Sequence, residues 1–332
     1  MDDEPIPLKV AAEHFDVTYD RLRRAAYDER LVAQRKGHEW LVRPSEVKRF
    51  LREGGKRPMV AYGGHPQDAT STGRIIAVAI VKGGVGKTTT ALNLGVALAE
   101  QGSRVLLVDC DPQCSLSLAL GVQVQGVEYT LSSVFSEYLS TYEAQLERAI
   151  LPTSLGVDVV PSSIRLGRVD KELNYATQRE FVLQKLLAPV VAHYDLVLVD
   201  TMPATNNLVI NALVAAQEVI IPLEPEYLSV ESLSMTLEDI EQIRRSGLNP
   251  TLMVSGILLT QVDQRTVLHR EVVDYTRAEY GNHVPVFETV VKKSVRFPES
   301  QTRHQSILHY DPQGEGATAY RMLAQEVLHA RR

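Results

Sequence analysis

The 332-residue chain has only two cysteines, Cys110 and Cys114. Two cysteines so close together make neither a disulfide scaffold nor a zinc site. No apolar run approaches the ~20 residues a membrane-spanning helix needs. The first residues, Met1-Asp2-Asp3-Glu4, are acidic and carry no apolar core, which argues against a signal peptide. A protein of the reducing cytoplasm, with no membrane partner, is expected. Hydrophobic content is 44% and charged residues make up 23%. Such a chain folds as a soluble protein with one large or two modest domains.

No single sign of charge dominates, but the charges are uneven. Residues 21–57 hold twelve Lys/Arg against five Asp/Glu, a local net of +7, which leaves about −13 elsewhere in a chain of net −6. A basic segment on an acidic protein points to a nucleic-acid surface or, more plainly, to a solvated helical face. The pattern predicts a short helix over Leu8–Phe15 with Val10, Ala11 and Phe15 inward. A turn follows at residues 16–18, then a second helix at 19–28 bearing Arg21, Arg23 and Arg24. Residues 31–42 alternate around Lys36-Gly37 like a hairpin, with Trp40 in its core. Pro44-Ser45 opens a third helix. Residues 58–73 are rich in Gly, Pro, Ser and Thr without periodicity, as in a linker. Three segments follow: a small domain at 1–57, a flexible linker at 58–73 and a large domain at 74–332.

The large domain is organised around Lys82-Gly83-Gly84-Val85-Gly86-Lys87-Thr88-Thr89. An apolar run leads in and an amphipathic run leads out, so the stretch reads as strand, glycine loop and helix. That context suits a loop whose backbone N–H groups cradle phosphate at a helix N-terminus. Lys87 would reach the phosphates and the Thr88 hydroxyl would ligate Mg²⁺. Downstream, RVLLVD (104–109) and LVLV (196–199) are continuous apolar runs, as in buried parallel strands. Each ends in acid: Asp109 and Asp111 after the first, Asp200 after the second. Carboxylates at the carboxyl ends of parallel strands sit where such sheets bind ligands.

The general loop pattern wants glycine at position 81. Here it is Val81, with a second lysine, Lys82, beside it. This form, x-K-G-G-x-x-K-[ST], resembles the deviant Walker A loop of the ParA and MinD ATPases. VDCDPQ, YDLVLVDTMPA, EVIIPLEPEY, GILLTQVDQRT and the block from Val286 onward are similar to segments of that family in the same order. Met202 replaces a proline usual there. The resemblance implies an α/β P-loop NTPase fold with a mostly parallel sheet flanked by helices. It implies ATP and Mg²⁺ as cofactors, slow hydrolysis, and a homodimer on ATP in which Lys82 reaches the partner's nucleotide. Lys87 is then a catalytic residue. Asp111 positions the attacking water, and with Thr88 and Asp200 it holds the metal. Lys292, Lys293 and Arg296, with Arg265 and Arg270 as additions, would bind DNA without sequence preference. A ParB-like partner would stimulate hydrolysis, and the protein would associate with the nucleoid.

The N-terminal segment is similar to winged helix-turn-helix domains of the MerR and excisionase type. By that resemblance Arg21, Arg23 and Arg24 contact DNA from the second helix, and Arg35 and Lys36 from the wing. Cysteine placement and the tail do not match the iron–sulfur relatives, MinD or the bacterial tyrosine kinases. Three functions remain open: DNA partition by a motor that also binds its own operator, an ATP-regulated repressor, and positioning of a non-DNA cargo.

Overall fold

A computed structural model describes residues 5–15, 17–27, 31, 33–36, 39–52, 73–263 and 265–329. The chain divides into two compact units, Met1–Asp68 and Ala69–Arg332. Residues 58–72 of the expected linker lie outside the described residues, as do the turn residues 16, 37 and 38.

The first unit runs β1 (Ile6–Pro7), α1 (Leu8–His14), α2 (Tyr19–Tyr27), β2 (Ala33–Lys36), β3 (Glu39–Val42) and α3 (Pro44–Arg52). Its strands form one antiparallel sheet in the order β1-β3-β2. Leu8, Ala11, Ala12, Leu22, Ala25, Leu31, Val42, Val47 and Phe50 make its core, with Phe15 and Trp40 packed on it. Val10, expected to face inward, is 49% exposed. At 100° per residue, positions 8, 11, 12 and 15 share one face, and 10 points away from it.

The second unit begins with β4 (Arg74–Val78), α4 (Lys87–Glu100), β5 (Val105–Cys110), α5 (Ser115–Ala119) and α6 (Leu131–Thr141). It continues through β6 (Leu151–Pro152), β7 (Asp158–Val160), α7 (Leu166–Leu173), α8 (Val182–Leu187), β8 (Leu196–Thr201) and α9 (Asn207–Ala215). Then come β9 (Glu218–Leu223), α10 (Tyr227–Arg245), β10 (Met253–Val262), α11 (Val267–Tyr280) and β11 (Val286–Lys292). Helices α12 (Arg296–Thr302), α13 (Ile307–Tyr310) and α14 (Glu315–His329) complete it. The strands form one sheet, β11-β10-β9-β4-β8-β5-β7-β6. Every pairing is parallel except β6 with β7.

The continuous apolar strands divide between two cores because successive side chains alternate across the sheet. Ile75, Ala77, Leu106, Val108, Val197 and Val199 enter one core. Ile76, Val105, Leu107, Leu196 and Leu198 enter the other. Helix α4 is not amphipathic as the sequence pattern predicts: Lys87 and every residue from Thr90 to Leu98 are buried. Apolar side chains of α14, among them Ala317, Tyr320, Leu323 and Val327, share its core. A helix apolar all round belongs inside a protein.

One ion pair ties this frame together. Arg74 Nε and Nη2 each donate to Glu218 at 2.7 Å, and Nη1 donates to the Val327 carbonyl at 3.0 Å. Both side chains are largely buried. Arg74→Ala strands the Glu218 charge in the interior. We expect a loss of about 3–5 kcal/mol in urea unfolding. A loss below about 1 kcal/mol would show that water reaches Glu218.

Candidate phosphate and metal site

The site is built at the carboxyl ends of β4, β8 and β5, the middle of the sheet. Residues 79–86 leave β4 and turn into α4. Gly84 and Gly86 take φ of 77° and 90°, the left-handed region that costs other residues about 1–2 kcal/mol. A Cβ at Gly84 would meet nothing within 4 Å, so backbone conformation rather than crowding calls for glycine. Lys87 opens α4 and folds back, with Nζ donating to the Lys82 carbonyl at 2.7 Å. Burial pulls its pKa down to about 8, while Asp200 and Asp111 oppose that shift.

Two carboxylates, Asp200 and Asp111, act on this lysine, and a third, Asp109, lies beside Asp200. In register, Asp200 on β8 lies between Val78 of β4 and Asp109 of β5. Asp109 is fully buried and well held: it accepts from Ser117 N at 2.8 Å, Ser117 Oγ at 2.6 Å and Asp111 N at 3.3 Å. Burial still raises its pKa to about 6. Asp111 accepts from Gln113 N at 2.8 Å, an Asx turn that sets the Asp-Pro-Gln loop. Asp200 differs. It is fully buried, and neither carboxylate oxygen has a well-formed hydrogen bond among the described residues, although the Thr88 side chain approaches closely enough to favour its charge. Burial first, then the Asp109 charge, raises its pKa well above the ordinary value; Thr88 beside it offsets part of this.

Orphaned buried oxygens call for a missing partner. Asp200 and Asp111 against one ammonium leave a deficit of positive charge that a divalent cation would fill. Among the described residues no group of three or more His, Cys, Asp or Glu forms a metal cage. Mg²⁺ needs no such cage, since it keeps waters and phosphate oxygens and takes one or two carboxylates from protein. The residues present therefore fit the ion.

The second lysine is held apart from the first. Lys82 Nζ donates to Glu226 Oε2 at 2.5 Å and Ser229 Oγ at 2.7 Å. This bond from Lys82 is the main reason the Glu226 carboxyl titrates below its usual range. Neither partner was identified as a site residue from the sequence. Glu226 lies in EVIIPLEPEY, a segment similar to the family's in which no role was assigned to the acid. Also missed were Thr260 and Gln261, whose side chains reach the carbonyls of Val85 and Gly84, and Gln301, which donates to Thr89 Oγ1 at 3.0 Å. Each lies far along the chain from the loop, so only the fold brings them to it.

The residues expected to touch DNA fall in two sets. Arg23 is exposed on α2, with its guanidinium 6.0 Å from the Tyr19 ring centre. Arg21 and Arg24 lie on α2 and Arg35 and Lys36 on β2, with side chains outside the described residues. In the second set, Lys292 pairs with Glu315 at 2.8 Å, Arg296 with Glu299 at 3.4 Å and Arg265 with Asp263 at 2.8 Å. Lys293 is exposed and close enough to Glu224 and Glu226 to favour their ionised forms. Arg270 is exposed. The second set is thus partly neutralised by its own neighbours. Cys110 and Cys114 are buried free thiols.

Comparisons with known proteins agree with this geometry. Residues 73–254 match the AAA domain family. The chromosome partitioning protein ParA of Caulobacter vibrioides is 39% identical over 258 residues, covering 77% of this chain and 94% of that protein. The sporulation initiation inhibitor protein Soj of Bacillus subtilis is 38% identical over 256 residues, covering 77% and 98%. The crystal structure of cobyrinic acid a,c-diamide synthase from Mycobacterium smegmatis, with bound ATP analog and magnesium, superposes with a TM-score of 0.67 at 32% identity, over 77% of this chain and 94% of that one. With its loop, its acidic strand ends and relatives matched over nearly their whole length, the chain belongs to the ParA/Soj family of P-loop ATPases.

Proposed function

We propose that the protein is a DNA-partition ATPase that closes as a dimer on ATP, holds DNA in that state and lets go after hydrolysis. The observation that carries the reading is Asp200, buried at the carboxyl end of β8 with no well-formed hydrogen bond among the described residues, next to Thr88 and Lys87 of the glycine loop. Thr88, Asp111 and Asp200 would hold Mg²⁺, which would spread the negative charge of the β- and γ-phosphates. Lys87 would leave the Lys82 carbonyl for the phosphates. Asp111, near enough to act on Lys87 and fixed by its own Asx turn, would orient a water. Such chemistry is mostly positioning and charge neutralisation. Lys82 would swing from Glu226 to the nucleotide of a second copy. A ParB-like partner would speed turnover, and the protein would work in the cytoplasm on the nucleoid.

The N-terminal unit supports a second role, binding an operator. It has paired helices, a β2–β3 hairpin and a basic balance, with Arg23 exposed on the second helix. A winged helix-turn-helix reading fits this order, and a dimer would present two copies to a palindrome.

A gel-shift separates the roles. With MgATP the full chain should bind random DNA, with affinity falling steeply as salt rises. Deleting residues 1–57 should abolish preference for the operator and leave that ATP-dependent binding. Loss of both would move all DNA contact to the N-terminal unit. No ATP dependence would sink the partition reading.

A further inference from the structure

A phosphate loop works through backbone N–H groups, so something must fix which way its peptide planes face. Two consecutive carbonyls of this loop are held from outside by two consecutive side chains. Gln261 Nε2 donates to the Gly84 carbonyl at 2.5 Å. Thr260 Oγ1 donates to the Val85 carbonyl at 2.8 Å. Both donors come from the carboxyl end of β10, two strands away from β4 in the sheet.

In a trans peptide the C=O and the next N–H point in opposite directions. A donor that holds the Gly84 carbonyl therefore fixes the Val85 N–H on the other side of the plane. The bond to the Val85 carbonyl does the same for the Gly86 N–H. Both planes flank glycines in the left-handed region, Gly84 and Gly86, where backbone freedom is greatest. Among the described residues neither N–H is donated to another protein group. They are left for a ligand that accepts.

Gln261 is itself unusual. It has φ of 52°, a region in which a non-glycine residue with a long side chain is uncommon. Strain of this kind clusters at ligand clamps. The conformation delivers the side-chain amide to Gly84, with the Glu224 carboxylate 3.5 Å from the same nitrogen. Thr260 is buried, so its hydroxyl bond is shielded from water.

We propose that Thr260 and Gln261 form a clamp that preorganises the loop, making them positioning residues for nucleotide binding. This rests on the nucleotide reading above. A preorganised loop binds more tightly because less freedom is lost on binding. The clamp should therefore act on affinity and leave the chemical step alone.

The test is a titration of the full chain with MgATP, alongside steady-state hydrolysis and thermal melting. Gln261→Met keeps the shape and removes the donor. It should raise the Kd for MgATP about fivefold to tenfold, the cost of one neutral hydrogen bond, with kcat at saturation within about twofold. Thr260→Val should do the same and Thr260→Ser should restore binding. Wild-type affinity in a folded Gln261→Met protein would overturn the clamp, as would a lowered melting temperature with unchanged Kd. If Thr260→Val does not fold, Gln261→Met decides alone. A wild-type chain that takes up no MgATP would overturn the nucleotide reading and the clamp with it.

Discussion

Asp200→Asn should make the nucleotide-free protein more stable and the enzyme inactive. In the wild type a carboxylate sits fully buried with neither oxygen in a well-formed hydrogen bond among the described residues, next to a second buried acid, Asp109. Asparagine keeps the shape and removes the charge. Removing a buried charge that lies next to the like charge of Asp109 is worth about 1–3 kcal/mol, a rise of several degrees in melting temperature for a protein of this size. The pH dependence has a definite sign. A carboxyl whose folded-state pKa is raised favours the fold while protonated, at low pH, and loses that contribution as pH rises through the folded value. The variant's advantage should therefore be largest near pH 8 and fade towards pH 4. Hydrolysis should drop about 100-fold or more if Asp200 holds the metal as proposed, because its charge is gone. MgATP should stabilise the wild type and fail to stabilise the variant. A variant that melts no higher at pH 8, or that still turns over, would show that Asp200 is satisfied some other way.

How much of this was legible in the sequence follows from how local each feature is. The glycine loop, Asp109, Asp111 and Asp200 lie next to strand runs that are apolar from end to end, and each strand places its own acid. The partners of Lys82 could not be read, since Glu226 and Ser229 are about 145 residues downstream and look like the start of an ordinary helix. Thr260 and Gln261 are hidden for the same reason. Helix α4 was misjudged because its Thr and Asn residues suggest a wet face. In the structure Asn93 Nδ2 donates to the Thr89 carbonyl, its Oδ1 accepts from Ile307 N, and Thr90 meets the Tyr320 hydroxyl at 3.4 Å. Those polar groups are satisfied inside. No element between 119 and 193 was expected from the sequence; the helices there are short and separated by turns. The basic residues near Lys292 were read as one strip, but sequence does not show that Glu315, Glu299 and Asp263 fold against them.

Lys82→Ala should remove ATP-dependent dimerisation and leave nucleotide binding within a few-fold of wild type. The two loop lysines are already separated in space. Lys87 folds back on the Lys82 carbonyl from the helix side, and the Lys82 side chain turns instead to Glu226 and Ser229. In the proposed cycle Lys87 serves the nucleotide of its own chain, and Lys82, once it leaves Glu226, serves another's. The contact that holds Lys82 is weak enough to release it, because Glu226 is about half exposed and such surface pairs are worth about 0–1 kcal/mol. Across a closed interface the same ammonium would meet phosphate with little water between, where a charged hydrogen bond is worth about 1.5–3 kcal/mol. Two symmetric copies count it twice, so the dimer constant should weaken about 100-fold or more in Lys82→Ala. Sedimentation with a non-hydrolysable ATP analogue and Mg²⁺ measures it directly. Glu226→Gln tests the same competition from the other side. With its ionic partner gone Lys82 is released, and the ATP dimer should tighten about twofold to fivefold at low salt, less at high salt. An alanine variant that dimerises like the wild type on ATP would show that Lys82 belongs to Glu226 in both states, and that the loop is completed within one chain.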